Sequence, residues 1–121
     1  GPVAPLPGGY ALREECKVLD FSPLLPALMG CKDNAAYGAA LFHATVARGL
    51  AEWAIAAVNR ENKAKVAIGG GCAMNVVLMS ALQRQFMSAG IDLLEARLVP
   101  PNDGGLSLGQ AWVARKLYCS R

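Results

Sequence analysis

No two cysteines in this chain stand in Cys-x-x-Cys spacing: Cys16, Cys31, Cys72 and Cys119 are separated by 15, 41 and 47 residues. That excludes a zinc site built from paired thiolates and a thioredoxin-type redox pair. No apolar run approaches the ~18–20 residues of a membrane span, and the N-terminal residues do not read as a secretory signal. Four free thiols in a cytoplasmic protein is therefore the expectation. Charge is scarce, at 17% of residues with a net +3. Basic residues form no stripe interleaved with aromatics, so neither nucleic acid nor a membrane is an expected partner. There is a single histidine, His43.

What the chain has in excess is apolar surface, 54% of its 121 residues. This length makes one domain at most, or part of one, and such a domain buries roughly 65–70% of its unfolded surface. So apolar a composition with so few charges suggests a compact α/β domain, or a piece of a larger one with a face meant to be covered.

Residues 1–9 are rich in proline and glycine and read as a flexible leader or linker, with Gly1-Pro2 resembling the scar of a tag-cleaving protease. Lys17 to Phe21 is a candidate strand. Ser22-Pro23 then offers a hydroxyl cap and a proline at the first helical position, for a short helix ending near Gly30. Asn34 caps a long helix from Ala35 to about Glu61. Tyr37, Leu41, Thr45, Leu50, Trp53 and Ala57 form one stripe on it, and Phe42, Val46 and Ile55 a second. A helix with two such stripes is packed on both flanks.

Lys65 to Ile68 is a short β run that ends in Gly69-Gly70-Gly71. A helix from about Met74 to Ala89 follows, with Leu78, Leu82 and Phe86 inward and Gly90 as its C-terminal stop. Asp92 to Val99 is a further strand, and Leu106 to Tyr118 a last helix, on which Trp112 packs against the sheet. Trp53 and Phe86 read as core, and Arg13, Glu14 and Glu15 as a solvated stretch. The order β-α-α-β-α-β-α predicts an α/β fold with a small, mostly parallel sheet covered by helices.

Two loops carry the functional signal. The second reads Val-Pro-Pro-Asn-Asp-Gly-Gly-Leu-Ser-Leu-Gly-Gln from Val99 to Gln110. Its prolines end the strand, its Asn-Asp pair offers oxygen and amide ligands, and Gly104-Gly105 lets backbone approach closely before a helix begins. Both glycine clusters leave the C-terminal end of a predicted strand and enter a helix N-terminus. Ligands bind at that edge of open parallel sheets, and helix N-termini suit phosphate. A nucleotide or phosphate site is therefore the expectation, with the two loops meeting at a common rim.

These residues resemble a known family, the HypF-type carbamoyltransferases. Gly70-Gly71-Cys72-Ala73-Met74-Asn75 is similar to that family's Gly-Gly-Val-x-x-Asn segment, and Val99 to Val113 to its C-terminal signature. Leu41-Phe42-His43-Ala44-Thr45 resembles its Phe-His-x-Thr segment. The three motifs occur in family order and span about Leu19 to Lys116, most of the chain, with residues 10–121 as the expected lobe. The resemblance implies the C-terminal lobe of an actin-like ATPase domain. It also implies carbamoyl transfer, through a carbamoyladenylate made with ATP, to the C-terminal cysteine of the partner HypE during maturation of nickel–iron hydrogenases. By position, Gly70, Gly71 and Asn75 would line the nucleotide. Asp103 would be a metal ligand beside the phosphates, with Asn102 and Gly104 next to it at the nucleotide.

The resemblance also marks what is missing. Such enzymes complete their metal site with a His-x-x-x-His pair from the first half of the domain, and a chain with one histidine has no such pair. One carboxylate cannot hold magnesium or iron tightly, so weak metal binding and no turnover are expected of this lobe alone. No residue is assigned a catalytic role.

Bland readings stand beside these. Asp103 and Asn75 are also candidate helix caps. His43, on an apolar helix, is more readily a satisfied core group than a catalyst. Cys72 reads as packing, although a helix N-terminus lowers thiol pKa. Two rival functions remain: a non-catalytic module that self-associates through its apolar face, and a lobe of a tRNA threonylcarbamoyl-transfer enzyme. The modest charge and the Pro-Pro-Asn-Asp-Gly-Gly wording argue against the second.

Overall fold

The computed structural model describes residues 1–119. It opens on a hairpin, β1 (Ala11–Arg13) and β2 (Val18–Asp20), paired antiparallel. Two helices follow, α1 (Leu24–Met29) and α2 (Ala35–Arg60). Then come β3 (Lys65–Ile68), a 3-10 turn (Gly71–Met74), α3 (Val76–Ser88) and β4 (Asp92–Glu95). A second 3-10 turn (Asp103–Gly105) leads into α4 (Leu106–Cys119). β3 and β4 pair in parallel, with Ile68 opposite Glu95.

The expected order therefore lacks one strand, and the sheet is two separate two-stranded sheets rather than a single mostly parallel one. The stretch at Arg13, Glu14 and Glu15 is the hairpin's edge and turn. Glu14, Glu15 and Cys16 all take positive φ, at 51°, 55° and 64°, a conformation with no glycine or asparagine here to signal it. Asp20 anchors this hairpin. Its Oδ2 lies 2.7 Å from Arg13 Nη2, and its Oδ1 accepts the Ser22 backbone N–H at 2.9 Å. Hydrogen bonds from Ser22, ahead of the Arg13 guanidinium, pull the carboxyl pKa down to about 2 from the ordinary 3.8. α1 starts at Leu24 with Pro23 at its cap and no hydroxyl cap from Ser22.

α2 is the spine of the fold. Asn34 caps it as expected, its side chain accepting the Tyr37 N–H at 3.0 Å. The helix is packed on both flanks, and small residues share the contacts with Leu41, Leu50, Ile55 and Val58. On one flank Ala47, Ala51 and Val58 meet Met79, Leu82 and Phe86 of α3, and with Ile91 they form the core. Alanines allow α3 to lie close, and Phe86, at 1% exposure, fills the space they leave. On the other flank Gly49 forms a notch: a Cβ there would lie 2.7 Å from the Phe21 ring and 3.1 Å from that of Tyr10. Of the expected stripe residues, Leu41 and Thr45 are buried and Leu50 and Ile55 pack against the core, while Tyr37, Phe42 and Trp53 stay partly exposed, and Trp53 Nε1 donates to the Lys17 carbonyl at 3.2 Å.

Within the expected leader, the Leu6 N–H donates to Thr45 Oγ1 at 2.9 Å, and Thr45 donates in turn to the Leu41 carbonyl at 2.7 Å. Thr45 is fully buried, so this threonine ties the N-terminal segment onto α2. β4 is shorter than expected because its partner is short. β3 ends at Ile68, Gly69 turns away, and residues beyond Glu95 have no ladder to join. α4 also differs: none of its residues is buried, and Trp112 is 57% exposed rather than packed on a sheet. Among the described residues no helix is long and apolar enough to cross a membrane.

Candidate functional site

Because β3 and β4 are adjacent and parallel, the loops that follow them leave from the same edge of the sheet. The loops touch. The Gly70 N–H donates to the Pro101 carbonyl at 2.5 Å, and Asn102 Nδ2 approaches Met74 Sδ at 3.0 Å. The expected convergence of the two glycine bends is therefore present, joined by a backbone bond and a side-chain contact. Met74 has no signal in the sequence, since a methionine in a turn says nothing of a partner 28 residues away.

Each loop is shaped by its glycines in a different way. Gly70 has φ 96° and ψ 169°, a region that only glycine enters without strain. Gly70 and Gly71 both have nothing within 4 Å of where a Cβ would stand, so this bend faces open space. Gly104 and Gly105 are crowded instead. A Cβ on Gly104 would lie 2.8 Å from Pro100 Cγ, and one on Gly105 would lie 2.6 Å from the Pro100 carbonyl oxygen. These two glycines let the Pro-Pro segment fold back against the turn. The first loop faces open space; the second is packed on itself.

The polar residues divide their work. Asn102 Oδ1 accepts the Gly104 N–H at 3.0 Å, so asparagine supplies the turn's cap. Asp103 is exposed at the first position of that turn, and its carboxylate takes no hydrogen bond or ion pair among the described residues. The side-chain cap of this turn is made by Asn102, while the Asp103 carboxylate itself makes no capping hydrogen bond among the described residues. Asn75 does cap: its Oδ1 accepts the Leu78 N–H at 3.1 Å at the start of α3. Its Nδ2 lies 2.9 Å from His43 Nε2, which brings the lone histidine to the first loop. Cys72 is exposed rather than buried in packing, at the mouth of a cleft it shares with Trp53 and Leu78. All four cysteines are free.

Gly70, Gly71, Asn75, Asn102, Asp103 and Gly104 therefore lie along one open rim, all of them exposed. Among the described residues no group of three or more His, Cys, Asp or Glu gathers to hold a metal ion. Of these six rim residues only Asp103 carries a carboxylate, which fits one ligand of a divalent cation and not a complete site. Behind the second loop, residues 99–102 and the inner face of α4 bound an apolar cleft of about 690 Å³, with Leu106, Val113 and Leu117 on its helical wall.

Comparison with known proteins identifies the family. A family model described as "Carbamoyltransferase, Kae1-like Domain, second subdomain" matches residues 4–110. The carbamoyltransferase HypF2 of Cupriavidus necator is 48% identical over 96 residues, covering 79% of this chain and 12% of that protein. A HypF homolog of the same organism is 42% identical over 114 residues, covering 90% and 29%, and HypF of Rhizobium leguminosarum bv. viciae is 40% identical over 113, covering 93% and 15%. A crystal structure of full-length HypF in its phosphate- and nucleotide-bound form superposes with a TM-score of 0.84 at 28% identity, over 94% of this chain and 15% of that one. The chain thus spans less than a third of the length of these relatives. With both signature loops joined at one sheet edge, this chain belongs to the HypF-type carbamoyltransferase family, matching the second subdomain of its Kae1-like domain.

Proposed function

We propose that this chain is the nucleotide-binding C-terminal lobe of an actin-like carbamoyltransferase domain. ATP, or the carbamoyladenylate made with it, would lie along the rim with its phosphates towards Gly70 and Gly71. The reaction would pass the carbamoyl group to the C-terminal cysteine of a HypE partner, in hydrogenase maturation. The observation that carries the reading is the Gly70–Pro101 bond, which holds an open glycine bend beside a carboxylate that no other described residue engages. The phosphate- and nucleotide-bound state of the HypF structure similar to this chain supports the same ligand class.

Asp103 would supply one ligand to magnesium or iron, and the ion would stabilise charge on phosphate oxygens. The remaining ligands would come from the first half of the domain, so this lobe alone binds metal weakly and does not turn over. The uncovered apolar wall of α4 supports such a partner half, because surfaces of this kind are normally covered.

Titration calorimetry with ATP and magnesium tests the reading, with and without a first subdomain supplied from HypF2 of Cupriavidus necator. The expected result is tighter binding with the added half, and an Asp103→Ala variant that loses about tenfold or more of the magnesium-dependent affinity. That follows from ~1.5–3 kcal/mol for a contact to a charged group. The far-UV circular dichroism of the variant stays unchanged, since Asp103 holds nothing in the fold. Undetectable binding by the joined halves, or an unchanged affinity in the variant, overturns the ligand role.

A further inference from the structure

His43 and Asn75 are 32 residues apart and form a hydrogen-bond chain whose two ends are backbone groups of fixed polarity. At one end, His43 Nδ1 lies 2.8 Å from the Ala39 carbonyl of α2. A carbonyl only accepts, so the ring must carry its proton on Nδ1. In the neutral ring Nε2 is then bare and can only accept. At the other end, the Leu78 N–H only donates, so the Asn75 atom facing it at 3.1 Å must be Oδ1. That turns Asn75 Nδ2 towards His43 Nε2, at 2.9 Å. Every group in the chain meets a partner of the opposite kind, and neither the ring nor the amide can be reversed without setting like against like.

We propose that His43 is a positioning residue for the first loop of the site, acting through Asn75. Within the 3-10 turn of the Gly70–Asn75 segment no residue is fully buried, and only Ala73 packs, half-buried, against the core. It is braced at its start by the Gly70 bond to Pro101 and at its end by the Asn75 bond to His43. The second brace ties the loop to α2, at 26 residues the longest element among the described residues. His43 touches no ligand in this scheme. It fixes the orientation of the Asn75 amide, which caps α3 and, on the reading of the site proposed above, lines the nucleotide.

Because His43 is the only histidine, its ring nitrogens are unambiguous in a long-range proton–nitrogen correlation spectrum of the 121-residue chain. The expected pattern is a protonated Nδ1 and a bare Nε2 in the neutral ring, with Nε2 moving in Asn75→Ala. Asn75→Asp keeps the helix cap but sets oxygen against the bare Nε2, and should lose the parent nitrogen pattern. A proton on Nε2 alone in the parent chain, or an Nε2 signal indifferent to Asn75→Ala, overturns the proposal.

His43→Leu and His43→Gln supply the second readout. Leucine removes the acceptor, and hydrogen exchange at the Leu78 amide should quicken about fivefold, as expected for loss of one exposed hydrogen bond. Glutamine presents Oε1 near the place of Nε2 and should restore the parent rate. Identical exchange in the parent chain and both variants overturns the proposal. Magnesium–ATP affinity of the joined halves should follow the same order, weakened about fivefold by leucine and recovered with glutamine. Absence of ATP binding in the parent protein would defeat the nucleotide reading alone, since the ring and exchange signals do not depend on ligand. Normal ATP binding with both His43 variants unaffected would defeat the positioning role alone.

Discussion

Alanine at position 70 and alanine at position 71 should differ sharply, although the two glycines are neighbours with equal room for a methyl group. A Cβ added at either would find no atom within 4 Å, so crowding plays no part in either substitution. The difference lies in the backbone. Gly70 sits at φ 96° and ψ 169°, where a residue with a Cβ is strained by about 1–3 kcal/mol. Gly71 has no positive φ, and alanine there should be within about 0.5 kcal/mol of neutral, or slightly stabilising through the unfolded chain. Relieving the strain at position 70 means rotating φ, which draws the Gly70 N–H away from the Pro101 carbonyl and parts the two loops. Urea unfolding followed by circular dichroism reads the cost. With a slope of about 2 kcal/mol per molar, the midpoint should fall by roughly 0.5–1.5 M for Gly70→Ala and hardly move for Gly71→Ala. Equal midpoints for the two variants would refute the argument that the first bend depends on its glycine's backbone conformation.

Other substitutions probe the frame that carries the rim. Phe86→Ala empties the centre of the α2–α3 core, where the ring is 1% exposed, and should destabilise by about 3–5 kcal/mol in the same assay. Thr45→Val keeps the shape but leaves the Leu6 N–H without its acceptor. It should cost about 1–3 kcal/mol, while Thr45→Ser stays close to the parent in the same unfolding assay and in hydrogen exchange at Leu6. Asp20 gives the hairpin an acid limit. Its carboxyl ionises at about 2 when folded against 3.8 as the ordinary value, so its contribution is complete above the higher value and is lost as pH falls towards the lower. An acid titration of the parent chain should show hairpin amide signals changing across that window, and Asp20→Asn should remove the change.

Sequence and structure part company where the deciding contact is made by a residue with no distinctive signature. The caps at Asn34 and Asn75 are legible because asparagine before an apolar run has a local reason to be there. β3 and the start of β4 are legible for a similar reason, as short apolar runs bounded by glycine or charge. The hairpin is not, since its turn is built from two glutamates and a cysteine held at positive φ. On α2 Leu41, Leu50 and Ile55 mark the covered faces, yet alanine and glycine positions make the closest contacts and leave Phe42 and Trp53 only partly covered. Trp112 misleads in the same direction: an aromatic on a helix implies core only where something covers it, and α4 buries nothing.

At the site, the glycine and proline pattern reveals both loops and their common edge, because those residues are punctuation for the backbone. The division between Asn102 as cap and Asp103 as unengaged carboxylate is not visible, as either residue type serves either role. Nor is the His43–Asn75 bond. It depends on how α2 crosses the start of α3, a packing outcome written in the small residues of both helices and not in either motif.

The central claim is that both loops face one bound nucleotide. It is tested most directly by an NMR titration of the isotope-labelled chain, joined to the first subdomain of a relative, with magnesium–ATP. The amide signals of Gly70 and Gly71 should move together with those of Asp103 and Gly104, at a single midpoint. Movement of one loop without the other, or of neither, would contradict the account.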